Sequence, residues 1–535
     1  MRRIRRNAWI FACTSGILQV LCFPKPAFYF LSWVALAPLI YAILQCREQD
    51  ALLALADDGK FFAPASAWQG FLLGYVSGIV WYLGSCSWVF NTMHEYGGLN
   101  APTSAVLLLM YALYLGLYHG VFGLLVALTA ARRNGYSLRA LLFAPFIWVA
   151  VELARAYITS FPWDLLGYTQ IDNIPLTRIA SVTGVYGLSF EIALVNTVVT
   201  AAFLVPRQKR PSLLAVSVAA IVLLHAGKLY SPSALATTQG ATLVQSNVPI
   251  LDEPWTLDYE LQTLRELAAL SVRPKGAPNG EPGLILWPEA PAPFMTTDLH
   301  VRTTLADIAR NTNSAIIAST IGIRGFDDPS GARQIYNAAS VVAPNGAWTA
   351  EYDKIHLVPF GEYVPFADLL VFARKLTREV GTFSRGTSRA ALDVGGTRAG
   401  VFICYESIFP NEVRQFARNG AEVFVNISND GWYGDTSAPL QHLNMARMRA
   451  IENHRWLLRD TNTGVTAVID PYGRIVERAP RFERTALQGE YDLERDTTFY
   501  TRHGDWFPVV CAMVALAGML LRWMDTRSQP QAISR

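Results

Sequence analysis

The stretch AGVFICYES, residues 399–407, decides how this chain is read. Ala399 to Ile403 is a short apolar run of the kind that forms a strand buried on both faces. The run stops at Cys404, and a helical pattern follows at 410–418. A thiol where a strand gives way to a helix start is well placed for chemistry. The helix N-terminus and a nearby ammonium both favour the thiolate, which is the reactive form. Cys404 is also the only cysteine between residues 87 and 510. A lone cysteine is ordinarily a small, buried, inert residue. The strand–Cys–helix placement and the polar neighbours set this one apart.

Working outward, the sequence from about Gly240 to Asp505 alternates strands, turns and helices. Strands are expected at 241–246, 284–288, 315–320, 337–342, 399–404 and 421–426. Helical patterns fall at 258–272, 298–311, 410–418 and 440–455. Residues 465–476 read as a hairpin turning at Asp470-Pro-Tyr-Gly, with Pro and Gly in turn positions. That alternation predicts one layered α/β domain, and no internal repeat or Walker loop is visible. Two further polar residues stand near strand ends. Glu289 follows Leu286-Trp-Pro, and Lys354 sits in EYDKIHLVPFGEYVP, residues 351–365. A carboxylate, an ammonium and a thiol make a coherent acyl-transfer set. Glu289 takes the thiol proton as general base. Cys404 attacks a carbonyl and holds the acyl group as a thioester. Lys354 stabilises the oxyanion, aided by backbone N–H groups.

The remainder of the chain is different in kind. Of 535 residues 52% are apolar and only 16% charged, against about 25% charged in ordinary globular proteins. This excludes a disordered chain and a wholly soluble enzyme. The net charge, 45 − 42 = +3, is too small for a nucleic-acid footprint. Eight apolar runs approach the roughly 17–25 residues that cross a bilayer. They lie near 7–23, 27–45, 67–90, 103–131, 140–157, 182–205, 212–230 and 506–524. With the N-terminus inside, the inner segments hold Arg2, Arg3, Arg5, Arg6, Arg47, Lys60, Arg132, Arg133, Arg139, Arg207, Lys209, Arg210, Arg522, Arg527 and Arg535. The outer segments hold only Lys25, Arg155, Arg178 and Lys228. Positive residues concentrate on the cytoplasmic side, so the long insert faces outward, into the periplasm of a bacterium.

The expected organisation is a seven-span membrane domain at 1–230, a catalytic domain at 240–505, an eighth span at 506–524 and a cytoplasmic tail at 525–535. The opening MRRIRRNAWIFACTSGILQVLCF has the basic start and apolar core of a signal peptide. It lacks a small-x-small cleavage site, so a retained span is expected. The other five cysteines lie in or beside spans, as small apolar residues. Glu152 and Arg155 share a helix face. They are either a functional ionisable site in the membrane or a structural pair. Glu191 is a further carboxylate within a span.

Four motifs carry a resemblance: WPEA at 287–290, KIHLVPFGEYVP at 354–365, CYE at 404–406 and NDGWYGD at 429–435. They resemble the nitrilase, or carbon–nitrogen hydrolase, superfamily. That resemblance implies an α-β-β-α sandwich with a Glu289–Lys354–Cys404 triad. With eight spans and the insert between the last two, the chain resembles the apolipoprotein N-acyltransferase family of bacterial inner membranes. The resemblance implies supporting acids at Glu362 and Glu406. It also implies a two-step reaction. Cys404 takes the sn-1 acyl chain of a phospholipid, typically phosphatidylethanolamine, and the α-amine of a lipoprotein's diacylglyceryl-cysteine then takes it as an amide. Trp255, Val358, Phe360, Trp432 and Tyr433 are candidates for holding acyl chains, or else plain domain core. Asn337 and Tyr405 are candidates for orienting substrate. His356, the only histidine near the chemistry, is expected to be structural. No metal or cofactor is expected, and the default assembly is a monomer. Two other readings use the same residues: a membrane-tethered amidase that releases its acyl group to water, and an idle scaffold domain.

Overall fold

A computed structural model describes residues 3–46, 63–132, 135–136, 139–204, 210–225, 235–250, 254–272, 283–325, 333–363 and 383–527. Arg2, Arg47, Lys60, Arg133, Arg207, Lys209, Lys228 and Arg535 lie outside the described residues, as do Val364 and Pro365. The chain divides into two units. One comprises Met1–Phe90, Ala101–Tyr230 and Asp505–Arg535, the other Asn91–Asn100 and Ser231–Gly504.

The first unit is helical. Helices occupy all eight apolar runs, but four have the length and apolarity for a crossing: Ala101–Ala130, Arg139–Ile158, Val185–Leu204 and Trp506–Met524. A fifth is added if Ala67–Ser85 and Trp88–Tyr96, bent by 51°, count as one. The described residues thus supply four or five of the eight expected spans. Proline explains part of the difference. The first helix, Arg6–Cys22, stops just before Phe23-Pro24. The second run is broken into Tyr29–Leu31, Ser32–Ala35 and Ala37–Leu44, the last with Pro38 in its first turn, where a residue without an N–H can open a helix but cannot continue the preceding one. In the seventh run the described helix is Arg210–His225.

Two of these helices touch through glycine. A Cβ on Gly74 would fall 2.1 Å from the His119 carbonyl oxygen, and one on Gly123 would fall 2.1 Å from that of Gly70. Small residues let Ala67–Ser85 and Ala101–Ala130 bring their backbones together, a common device between apolar helices. Glu152 and Arg155 each find separate partners. Glu152 accepts from Trp148 Nε1 at 3.0 Å and Leu166 N at 2.8 Å. Arg155 donates to the Trp163 carbonyl at 2.7 Å and lies over the Trp81 ring. Glu191 is buried, and the six cysteines are all free thiols.

The second unit holds two six-stranded sheets. In chain order its strands are β1 (Gln239–Gln245), β2 (Leu284–Leu286), β3 (Ala315–Arg324), β4 (Gln334–Val342), β5 (Trp348–Asp353) and β6 (Leu392–Val394). They continue with β7 (Thr397–Ile403), β8 (Val423–Ser428), β9 (Leu457–Thr461), β10 (Ala467–Ile469), β11 (Ile475–Arg478) and β12 (Thr485–Tyr491). One sheet runs β12-β1-β2-β3-β4-β5 and the other β11-β10-β9-β8-β7-β6. Each has a parallel trio, β1-β2-β3 or β7-β8-β9, flanked by antiparallel strands. The two sheets therefore share a strand plan that no sequence repeat announces.

Alternation along each strand sets the layers. Leu284 and Leu286 pack toward Val401, Val425 and Leu457 of the other sheet, while Ile285 and Trp287 face helix residues Leu264, Val301 and Leu305. The opposite sheet carries Phe416, Leu443 and Ala446 of its own helices. The order is helix, sheet, sheet, helix. Burying each such Leu, Ile or Val contributes about 1.5–3 kcal/mol.

Helix ends follow local chemistry. Thr256 caps Leu257–Ser271 and Asp298 caps Leu299–Thr312 through their side chains, sparing otherwise orphaned N–H groups. Pro410 opens Pro410–Arg418, where its missing N–H costs nothing. The hairpin expected at 465–476 is present as β10 and β11. The strand expected at 421–426 begins and ends two residues later, as β8.

Candidate active site

Strands from both sheets deliver polar side chains to one end of the sandwich. From the first sheet come Glu289, three residues past β2, Asn337 on β4 and Lys354, directly past β5. From the second come Cys404, directly past β7, and Asn429, directly past β8. Strand ends are the usual location for sites in α/β sheets.

Lys354 is 1% exposed and lies between two carboxylates. Its Nζ donates to Glu289 Oε1 at 2.8 Å and to Glu362 Oε1 at 2.9 Å. Asn337 Nδ2 donates to the same two oxygens, at 2.8 and 2.7 Å. Glu289 Oε2 accepts the Asn429 N–H at 2.9 Å, and the Cys404 side chain also hydrogen-bonds this carboxyl. Glu362 is fixed by the Val358 N–H at 2.7 Å. Asn337, a candidate for orienting substrate, is thus placed as a brace between two acids.

The charges follow from this packing. Burial alone would raise Glu289, but Lys354 and the hydrogen bonds from Lys354, Asn337 and Cys404 outweigh it. They hold the carboxyl below its ordinary range. Burial alone would lower Lys354. Glu289 and Glu362 reverse that and hold it well above the ordinary lysine value. Cys404 moves the other way. Burial and then the Glu289 charge push its thiol well up, against the opposing pull of Lys354. Cys404 therefore rests as a thiol hydrogen-bonded to a charged carboxylate, the form from which Glu289 is expected to take the proton. The helix expected at 410–418 is present with those bounds. Cys404–Ile408 is a 3-10 turn, and the α-helix starts at Pro410. Cys404 itself has φ +48°. A left-handed backbone costs an L residue roughly 1–2 kcal/mol, so it persists only where neighbours hold it.

Glu406 sits beside this group and acts as a tie. Its Oε2 accepts the Ile403 N–H at 2.7 Å. Its Oε1 accepts Ile355 N–H at 2.7 Å and His356 N–H at 3.1 Å, and Tyr352 OH lies 2.9 Å from both oxygens. One carboxyl thereby joins the residue before Cys404 to the two residues after Lys354. Its burial, only partly offset by these bonds, raises its pKa.

The apolar candidates are spread out. Tyr405 is buried edge-on to Phe409, and Tyr433 is buried near His442. Val358 is half-buried, whereas Phe360 and Trp432 are 42% and 41% exposed. Trp432 packs edge-on to Tyr96, and its carbonyl accepts from Thr92 Oγ1 at 3.1 Å. Trp255 stacks on Tyr259 and packs on the helical layer of the first sheet. His356 stacks on Phe409, with Nε2 3.6 Å from Glu412.

The most similar relatives extend over both units. Residues 15–198 match the apolipoprotein N-acyltransferase N-terminal domain, and residues 240–499 match the carbon-nitrogen hydrolase family. An apolipoprotein N-acyltransferase from Geobacter metallireducens is 37% identical over 517 residues, 95% of this chain and 94% of that protein. The chain belongs to the apolipoprotein N-acyltransferase family. A second relative of that name, from Methylococcus capsulatus, is 32% identical over 96% of this chain and 95% of its own length. The solved amidase from Nesterenkonia sp. covers 51% of this chain and 96% of its own at 21% identity, with a TM-score of 0.35. As a member of the apolipoprotein N-acyltransferase family, the chain is a transferase within the carbon–nitrogen hydrolase superfamily.

The sequence reading of this N-acyltransferase family member left out a buried group behind Cys404. Asp430, His442 and Arg459 are fully enclosed. Burial opposes the Asp430 charge, but Arg459 and His442 dominate and hold its carboxyl far below the usual range. Burial, then Arg459, lowers His442. Donor atoms of Cys404, Asp430 and His442 lie within 4.8 Å of one another. Asp430 already faces the Arg459 guanidinium, so the group is a hydrogen-bonded network rather than a cation cage. One signal for it was available: Asn426 and Ser428 are polar positions in the otherwise apolar strand β8.

Proposed function

We propose that this protein moves an acyl chain from a membrane phospholipid to the α-amine of a lipoprotein's N-terminal diacylglyceryl-cysteine, through a thioester on Cys404. What supports the reading is the meeting of Glu289, Lys354 and Cys404 in one hydrogen-bonded group fed by both sheets. In the first step the Cys404 thiol gives its proton to Glu289 as sulfur attacks the sn-1 ester carbonyl. Lysine carries three N–H donors. Two meet Glu289 and Glu362, and the third is directed to the oxyanion of the tetrahedral intermediate. The C–O bond then breaks, and Glu289 returns the proton to the departing lysophospholipid oxygen. In the second step the amine nitrogen attacks the thioester, Glu289 accepts its proton, and the C–S bond breaks. The sulfur regains its proton as the amide leaves.

Because Cys404 rests as a thiol, deprotonation accompanies attack, and no free thiolate waits to meet water. Glu362 and Glu406 support this by placing Lys354 and the strand end before Cys404. Trp255, Val358, Phe360, Tyr405, Trp432 and Tyr433 form the candidate acyl-contact set, with Asn337 as a brace. The same reading carries eight spans, a periplasmic catalytic domain at 240–505, cytoplasmic termini and a monomeric enzyme. Phosphatidylethanolamine is the donor to test first.

The test is incubation of the full-length protein in detergent with that phospholipid, followed by intact mass and peptide mapping. The expected product is one acyl adduct on Cys404 that discharges onto a diacylated lipopeptide. Discharge only to water would replace the transferase by a hydrolase, and a Cys404→Ala protein that still gains the adduct would remove Cys404 from the mechanism.

A further inference from the structure

We propose that His442, oriented by the Asp430–Arg459 ion pair, is a positioning residue for Cys404. It fixes the carbonyl of the nucleophile, and with it the left-handed backbone that turns sulfur toward Glu289. The proposal rests on the reading that Cys404 carries the acyl group.

His442 lies on the Ala438–Asn453 helix, with its ring wholly buried. Its Nε2 is 3.0 Å from the Cys404 carbonyl oxygen and 2.7 Å from Ser407 Oγ. These are the first and fourth residues of the turn that carries the thiol. Its Nδ1 is 2.9 Å from Asp430 Oδ1. Asp430 is anchored in turn: Arg459 Nη2 donates to Oδ2 at 2.8 Å, and Ser428 Oγ donates to Oδ1 at 2.9 Å. Arg459 also reaches Asn426 on β8. One helix and two strands thus converge on a single imidazole. With the proton on Nε2 the ring donates to the Cys404 carbonyl, and the bare Nδ1 accepts from Arg459 Nη2 at 3.1 Å. The positioning role requires this tautomer, because a bare Nε2 could accept only the Ser407 hydroxyl.

The turn needs such an anchor. Residues with a Cβ leave the left-handed region when nothing holds them there. Upstream, the Ile403 N–H is bound by Glu406. Downstream, the planar peptide after Cys404 is held through its carbonyl by His442. Between these fixed ends the direction of the Cys404 side chain is set. Ser428 adds a second handle, because it hydrogen-bonds the Cys404 side chain as well as Asp430. A reacting atom misplaced by about an ångström loses on the order of 100-fold in rate. His442 acts on sulfur placement alone and has no part in binding lipid.

The experiment follows acylation of the full-length protein in detergent with phosphatidylethanolamine, by intact mass against time, for His442→Gln and His442→Asn. A glutamine amide reaches the position of Nε2 and still spans to the turn. An asparagine amide reaches the position of Nδ1 and stops at Asp430. The Gln variant is expected within about tenfold of the wild-type rate and the Asn variant about 100-fold slower, both with KM for phospholipid unchanged. Equal rates in the two variants, or an effect confined to KM, would overturn the proposal. Ser428→Ala is the mildest cut into the same network. It is expected to slow acylation roughly threefold to tenfold, and a wild-type rate there overturns the proposal even if the His442 variants cannot be purified folded. If the wild-type protein itself gains no adduct on Cys404, the functional reading fails. If it does and the His442 variants match it, only the positioning role fails.

Discussion

Replacing Lys354 by Met removes the cation that the buried Glu289 and the half-buried Glu362 share. At 2.8 Å from Glu289 Oε1, and with an effective dielectric of about 20, the direct attraction is about 6 kcal/mol. Much of that is returned when the ammonium no longer has to leave water on folding. The net expectation is the range for breaking a buried pair, about 3–5 kcal/mol of lost stability near neutral pH. The pH dependence carries the sharper test. In the wild type the folded-state pKa of Glu289 lies below its unfolded value. Its contribution is therefore complete above the unfolded pKa and is lost as pH falls through the folded one. In Lys354→Met, burial and the nearby Glu362 both disfavour the charge, so the folded pKa rises above the unfolded value. The destabilisation is then full at high pH and is relieved as pH falls. Thermal melts of both proteins in one detergent between about pH 5 and pH 8 should show the variant gaining stability on acidification while the wild type holds or loses. Parallel curves would refute the claim that Lys354 is what keeps Glu289 charged. The same variant should gain no acyl adduct, because the oxyanion loses its cation.

Cys404 rests as a thiol, with its pKa far above the ordinary value. Its alkylation by iodoacetamide should be slow and keep rising about tenfold per pH unit between about pH 7 and pH 10 without levelling off, whereas a plateau beginning near about 8.5 would mark an unperturbed thiol. Glu406→Gln keeps the shape but turns one acceptor into a donor facing backbone N–H groups. It should cost about 2–4 kcal/mol in chemical or thermal unfolding and slow acylation by about 100-fold. A melting curve that moves while acylation does not would limit Glu406 to a structural role. Gly74→Val places carbon against the His119 carbonyl and should lower the melting temperature by an amount equivalent to about 1–3 kcal/mol, with Cys404 acylation unchanged in the fraction that stays folded.

Much of the α/β unit was legible because strands buried on both faces leave a plain mark. LILWPE and AGVFIC read as apolar runs ended by a reactive group, and both became β2 and β7 followed by Glu289 and Cys404. The hairpin at Asp470 was legible for a similarly local reason, since Pro and Gly define a turn without help from elsewhere. The Ala438–Asn453 helix was not legible beyond its existence. His442, Arg449, Glu452 and Asn453 are polar positions that a sequence pattern alone does not mark as interior, yet all are buried. Their partners come from strands and loops distant in sequence, which no periodicity can report. The balance of forces on the thiol was not legible for the same reason. A local pattern can place Cys404 at the end of a strand, but only packing reveals that burial outweighs the cation beside it. In the helical unit, hydropathy located every apolar run. The break at Phe23-Pro24-Lys25-Pro26 between the first two short runs was legible as well, but the 51° bend after Ser85 was not.

The division of the catalytic group between two sheets has a kinetic consequence for assembly. Sulfur belongs to one half, while its proton acceptor and the ammonium belong to the other. A chain in which the second sheet has formed without the first therefore presents Cys404 without its proton acceptor and without its cation. Acyl transfer by this group therefore arises only in the event that mates the two sheets.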